Sequence, residues 1–148
     1  LPGVRVAVMG DQPPVELTGL PVEFTPWSDV AEVPFLQSLD VGLMPLTDDP
    51  FRRGKCGFKL LQYMASGVPS VASPVGVNRA LLEDGAGLLA QDDDAWVAAL
   101  TELAGDARLR RAMGAAARVQ AEQRWSSRVL APRFARVLSD VVALGRAE

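Results

Sequence analysis

One stretch, Gly54 to Ser73, constrains this chain more than any other. It sets a glycine-spaced, lysine-bearing loop, an amphipathic segment and an apolar run end to end. Phe58, Leu61, Met64 and Ala65 recur at helical spacing, Gly67 follows as a stop, and Pro69 bars continuation. The spacing predicts a helix from about Phe58 to Ser66 that buries this face, with a strand over Ser70 to Ser73 behind it. The first turn of such a helix leaves backbone N–H groups without acceptors and carries the positive end of the macrodipole. Lys55 and Lys59 stand beside it, and glycines let a ligand approach the backbone. Two readings stay open at this point: a helix start that receives an anion such as phosphate, or a solvated helix start whose lysines serve solubility.

The rest of the chain extends the same alternation. Val4 to Met9 and Val22 to Thr25 read as strands on either side of a proline-rich loop at Gln12-Pro13-Pro14. A helix around Val30 to Ser38, a buried strand from Val41 to Leu46, a short helix after Asn78 and a strand at Leu88 to Ala90 complete the pattern. Short apolar strands alternating with helices indicate a parallel sheet covered on both faces. The last third is helical. Trp96, Val97, Leu100, Leu103 and Ala104 form one stripe after the capping candidates Asp92 to Asp94. Leu109, Met113, Ala116 and Ala117 form a second, starting near Asp106, with Arg108, Arg110, Arg111 and Arg118 read as a solvated face. A final helix after Ser126-Ser127 carries Leu130, Phe134, Val137, Leu138, Val141 and Val142 in register, with Pro132 in its first turns or kinking it.

In such sheets ligands bind outside the carboxyl ends of the strands. Three loops are expected to converge there: Asp48-Asp49-Pro50, Gly54 to Lys59, and Val75 to Asn78. Asn78 either caps the helix that follows it or shares that helix start with a ligand. Trp27, just after a strand, either packs a loop or flanks a planar ring.

Composition narrows the chemistry. At 148 residues the chain has the length of one ordinary domain, and 49% hydrophobic with 22% charged residues describes a folded core. A net charge of −3 without a basic stripe argues against nucleic acid as a partner. The chain has no histidine, which removes serine–histidine triads and histidine metal sites, and its one cysteine, Cys56, excludes an internal disulfide and fits a reducing cytoplasm. Cys56 sits beside two lysines at a helix start, a setting that suits a nucleophilic thiol, yet no histidine is present to serve it as a base. No apolar run approaches the roughly 20 residues that span a bilayer. The chain opens directly in strand-like sequence without an initiator methionine or signal region, as expected of a piece of a longer protein.

Two nucleotide-binding motifs are approached and missed. Gly85-Ala86-Gly87-Leu88-Leu89-Ala90 fits the G-x-G-x-x-A spacing but leads into a strand, the reverse of the required order. Gly54-Lys55-Cys56 fails as a P-loop, because Asp49 holds the leading glycine position and Cys56 that of the magnesium-binding hydroxyl.

Several motifs taken together resemble the second domain of the family 4 retaining glycosyltransferases of GT-B architecture. Tyr63-Met64-Ala65-x-Gly67-x-Pro69-x-Val71-Ala72 matches the latter half of that family's E-G-F-G-x-P-x-x-E-A-M-A-x-G-x-P-V-V-A signature. Similarity continues through Phe24-x-Pro26-Trp27, Asp40 to Leu46, Ser73 to Arg79, Asp84 to Ala90, Trp96, and Leu109-Arg110-x-x-Met113-Gly114-x-Ala116-x-Arg118. Two departures stand out: the family's two signature glutamates, eight positions apart, are Gly54 and Gln62 here. In the family the second accepts hydrogen bonds from the ribose hydroxyls. Gln62 can still offer a carbonyl, with bonds of roughly 0.5–1.5 kcal/mol in place of roughly 1.5–3 for a charged acceptor. The first lies near the donor sugar and diphosphate, where Gly54 offers no side chain and Lys55 could pair with phosphate instead. A bacterial subset resembling this chain shares the variant, which reads as a subtype.

The resemblance implies a Rossmann-like parallel sheet sandwiched by helices, with residues 1–148 forming the nucleotide-sugar-binding C-terminal half of a two-domain, cytoplasmic glycosyltransferase. The partners it implies are a nucleotide-diphosphate sugar and an N-terminal acceptor-binding domain outside this chain, through which any membrane association would run. It implies no metal or other cofactor. The binding residues it implies are Trp27, Lys55, Gly57, Phe58, Lys59, Gln62, Gly76, Val77 and Asn78, Lys59 foremost; it identifies no catalytic residue, and the fragment alone is expected to be inactive. In the family the last helix crosses back to the other domain, so part of its stripe is expected to be exposed. The alternatives are a degenerate, noncatalytic nucleotide-binding or interaction domain, suggested by Gly54 and Gln62; a phosphate-switch receiver domain, for which only Asp48-Asp49 could serve; and a sugar-nucleotide epimerase, against which the lack of histidine weighs.

Overall fold

The computed structural model describes residues 3–14, 17 and 19–145, so the outer bounds expected for the domain, Leu1 and Glu148, lie outside the described residues. All the strands run parallel, but in two sheets instead of the single one expected. β1 (Val6–Gly10) pairs with β2 (Val22–Pro26), Val6 opposite Val22. The second sheet has the order β3 (Gly42–Met44), β4 (Ser70–Ala72), β5 (Gly87–Leu89), with Ser70 opposite both Gly42 and Gly87. Helix α1 (Asp29–Ser38) connects the two sheets, its start capped by the Ser28 hydroxyl, which accepts from the Ala31 N–H.

The sheet of β3, β4 and β5 holds the core. Every residue of β4 is buried, and alternation sends Val71 and Ala72 to opposite faces. Ala72 joins Met44, Leu60, Met64, Leu81 and Ala117 on one side, whereas Val71 joins Ala90, Ala99, Leu103 and Met113 on the other. The first side is covered by α3 (Phe58–Ala65), by the single turn α4 (Asn78–Leu81) and by α6 (Ala107–Gln120); the second by α5 (Asp93–Gly105) with α6. This two-sided cover is why the strands read as short apolar runs.

Helix α3 spans the predicted residues, but its buried face differs from the one expected. Leu60 and Met64 are fully buried, while Phe58 is 61% exposed and Ala65 is exposed. Positions i and i+4 set the seam, and Phe58, in the first turn, lies off it. The acidic loop also differs: Asp49 caps a short helical turn, α2 (Pro50–Arg53), whose first residue is the proline, a position where its missing N–H costs nothing. The arginines of α6 are not all idle. Arg110 donates to the Leu103 carbonyl and lies 3.4 Å from Asp40, and Arg118 donates to the Ala65 carbonyl, tying α6 to α5 and α3.

A wide π-type turn over Ala121–Trp125 joins α6 to α7 (Ser127–Leu144). α7 runs through Pro132 and buries none of its residues. Phe134, Val137, Leu138, Val141 and Val142 are all more than half exposed. No helix among the described residues is long and apolar enough to cross a membrane.

Candidate functional site

The segments leaving the carboxyl ends of β3 and β4 are held together at their roots. The Ser73 hydroxyl accepts from the Leu46 N–H at 2.9 Å, and the Ser73 N–H donates to the Met44 carbonyl. Farther out they touch through glycine. Gly57 has φ +68, and a Cβ there would run into the Leu81 side chain and crowd Val77. Gly76 has φ +56, and its Cβ would lie 2.6 Å from the Arg53 carbonyl oxygen. Both positions need a left-handed backbone and a close approach, which only glycine supplies without strain. The Gly54–Lys59 and Val75–Asn78 segments therefore converge as expected, with α3 starting where they meet.

Charges around this junction are sorted. Asp48 and Asp49, the expected acid pair, are neutralised locally. The Arg53 guanidinium donates to Asp48 at 2.6 and 3.0 Å and holds its carboxyl below the usual range. The Arg52 N–H, then its guanidinium, do the same for Asp49. Lys55 and Lys59 have no carboxylate partner within ion-pair distance among the described residues; Lys55 lies 5.8 Å from the centre of the Phe51 ring instead. Two exposed, uncompensated cations thus stand beside the free N–H groups of the first turn of α3.

Asn78 does not take the capping role considered for it. It is the first residue of α4, not its cap, and its buried side chain donates to the Ser73 carbonyl at 2.9 Å. It braces the loop from within. Val77 and Gly76 are exposed beside it. On α3, Tyr63 donates to the Leu43 carbonyl at 3.2 Å and packs over Gly42, where any Cβ would overlap its ring. Burial pushes its phenol pKa up. Tyr63 is therefore packing, as is Met64.

Trp27 and Gln62, the remaining expected residues, meet through a residue the sequence reading passed over. Glu32 Oε1 accepts from Gln62 Nε2 at 2.9 Å and from Trp27 Nε1 at 3.4 Å. The bond joins α1 to α3 across 30 positions of sequence. Trp27 is 50% exposed over this contact. Nothing in the sequence couples positions 32 and 62; the pairing exists only because α1 carries the chain from one sheet to the other.

A cleft of about 740 Å³ opens beyond the carboxyl ends of β3, β4 and β5, bordered by Asp48, Arg52, Ser73, Arg79, Asp92 and Trp96. Lys55, Lys59, Gln62 and Trp27 do not line it, so the cation-bearing junction and this cleft are neighbouring but separate features. The described residues contain no cluster of three or more histidine, cysteine, aspartate or glutamate side chains able to hold a metal ion. The arrangement can receive an anion at the start of α3 and hydrogen-bond a polyol or planar group alongside it.

Comparisons with known proteins agree with this architecture. The sequence pattern of the family described as Glycosyl transferases group 1 matches residues 2–106. No curated protein matches the chain. Among solved structures, sucrose-phosphate synthase (tll1590) from Thermosynechococcus elongatus superposes with a TM-score of 0.71 at 23% identity, over 84% of this chain and 31% of that one. Anabaena Alr3699/HepE in complex with UDP-glucose gives 0.70 at 20% identity, over 95% of this chain and 42% of that one. Its complex with UDP and glucose gives 0.68 at 22%, over 84% and 33%. The chain thus spans about a third to two-fifths of the length of the structures it matches.

Proposed function

This chain belongs to the group 1 glycosyl transferases, and from that premise we propose that it is the donor-binding half of an enzyme transferring a sugar, with retention, from a nucleotide-diphosphate sugar to an acceptor. The observation that carries this reading is the pair of lysines, Lys55 and Lys59, that have no carboxylate partner among the described residues, at the glycine-built start of α3. A nucleoside diphosphate brings the charge that this junction lacks. In the transfer, negative charge grows on the leaving diphosphate while positive charge grows at the anomeric carbon. Fixed cations and helix N–H dipoles, placed before the reaction, stabilise that departure without a metal. The backbone of Gly57, Phe58, Gly76 and Val77 borders the phosphates, Trp27 and Gln62 lie toward the nucleoside, and the acceptor site belongs to an N-terminal domain outside this chain. The matched HepE structures are described as complexes with UDP and UDP-glucose, which makes UDP the first probe here.

A second reading is favoured by one feature: Gly54 leaves no side chain at the sugar-proximal position, as in a domain that binds nucleotide without catalysis. Titration of the full-length protein with UDP, GDP and ADP decides. One nucleotide is expected to bind saturably, and Lys59→Ala to weaken it by about tenfold, the scale of a lost charge-assisted hydrogen bond. Binding of none of the three would overturn the donor-site reading. Binding without sugar transfer by the full-length protein would favour the noncatalytic one.

A further inference from the structure

Resting on the donor-site reading above, we propose that Glu32 of α1 is the carboxylate that recognises the ribose hydroxyls of the bound nucleotide, with Gln62 as its positioning residue.

The side chain is placed by two donors on a single oxygen. Gln62 Nε2 and Trp27 Nε1 both donate to Oε1, at 2.9 and 3.4 Å, which leaves Oε2 uncommitted among the described residues. No lysine or arginine lies within ion-pair distance of Glu32 among those residues. Its negative charge is supported by its place in the first turn of α1, at the positive end of that helix. Gln62 uses its amide N–H on Glu32, and its own carbonyl oxygen accepts no hydrogen bond among the described residues. Two acceptors on adjacent side chains, one of them charged, suit two adjacent hydroxyls, because each O–H can donate to its own oxygen.

The position fits the phosphate site. Lys59 and Gln62 are three residues apart on α3 and share a face. Gln62 stands five residues beyond Gly57, about 7.5 Å up the axis at 1.5 Å per residue. A diphosphate at the helix start therefore leads its attached sugar toward Gln62 and Glu32, with the exposed Trp27 ring beyond. The absence of a carboxylate at position 62 is thus compensated from another helix: Gln62 keeps a neutral acceptor and adds a donor that orients Glu32.

The test compares ribo and deoxyribo ligands on the full-length protein. Whichever of UDP, GDP and ADP binds tightest is titrated beside its 2′-deoxy and 3′-deoxy forms, using wild type, Glu32→Gln, Lys59→Ala and the exchange variant E32Q/Q62E. Glu32→Gln keeps the shape and can still accept both hydrogen bonds, so it leaves the packing in place. Expected is a wild-type preference for the ribonucleotide of about tenfold or more, collapsing toward unity in Glu32→Gln through loss of ribonucleotide affinity alone. The exchange variant returns a carboxylate to the same pair and is expected to regain the preference. Lys59→Ala weakens ribo and deoxy forms alike. If Glu32→Gln leaves the ribo-to-deoxy ratio unchanged, or lowers both affinities equally, while Lys59→Ala still weakens binding, the assignment of Glu32 falls and the donor-site reading stands. An exchange variant that folds yet stays without preference would likewise overturn it, and failure of every nucleotide to bind would remove both.

Discussion

Gly57 and Gly54 lie three residues apart and carry opposite constraints. Gly57 combines φ +68 with a neighbour, the Leu81 side chain, that occupies the space of a Cβ. Gly57→Ala is expected to cost on the order of 3 kcal/mol, from the left-handed backbone and the forced repacking of Leu81 together. Gly54 has φ −79, and a Cβ there would make an ordinary contact 3.5 Å from the Phe51 carbonyl. Gly54→Ala is expected to stay within about 0.5 kcal/mol. Urea denaturation of the two variants measures both, and a loss below about 1 kcal/mol for Gly57→Ala would contradict the close packing of the two loops. The glycine spacing was legible in the sequence, but which glycine is indispensable was not, because that depends on Leu81, 24 positions away. Asn78 makes the same point: its polarity was visible, whereas its burial against the Ser73 carbonyl was not.

α3 and α7 show that one helical periodicity can have two outcomes. Both carry apolar residues at three- and four-residue spacing, and both stripes were read from the sequence. In α3, Leu60 and Met64 close the core against Ala72 and Ala117. In α7, Phe134 is 66% exposed and no residue is buried. Leu60→Ala is expected to cost about 2–5 kcal/mol, as for a fully buried leucine. Phe134→Ala is expected to change the stability of this chain by less than about 0.5 kcal/mol. Equilibrium unfolding of the two variants distinguishes them, and a large loss for Phe134→Ala would mean that α7 is covered by this chain itself. Periodicity establishes that a helix has an apolar face; only the neighbours decide whether that face is buried. Phe58 is the converse case, an apolar residue inside a core helix that faces water because, two positions before Leu60, it lies on the side of the helix away from the Leu60–Met64 seam.

At the scale of the whole molecule, the two sheets differ in security. β4 is buried throughout and paired on both sides, whereas β1 and β2 pair, among the described residues, only with each other and none of their residues is fully buried. Two-stranded units are marginal without further cover. Amide hydrogen exchange is expected to be slowest in β4 and faster by orders of magnitude in β1 and β2. Equal protection of both sheets would show that they unfold as one cooperative unit. By itself the sequence determined the order of the strands and the longer helices, the parallel class and the loops that gather at the carboxyl ends of β3 and β4, because these follow from local periodicity, capping residues and glycine or proline stops. Only the tertiary structure decided that the strands divide into two sheets, that Asp48 and Asp49 are matched by Arg53 and Arg52, and that Glu32 of α1 meets Gln62 of α3. Strand partners and cross-helix hydrogen bonds depend on distances between segments remote in sequence, and no local pattern encodes those distances.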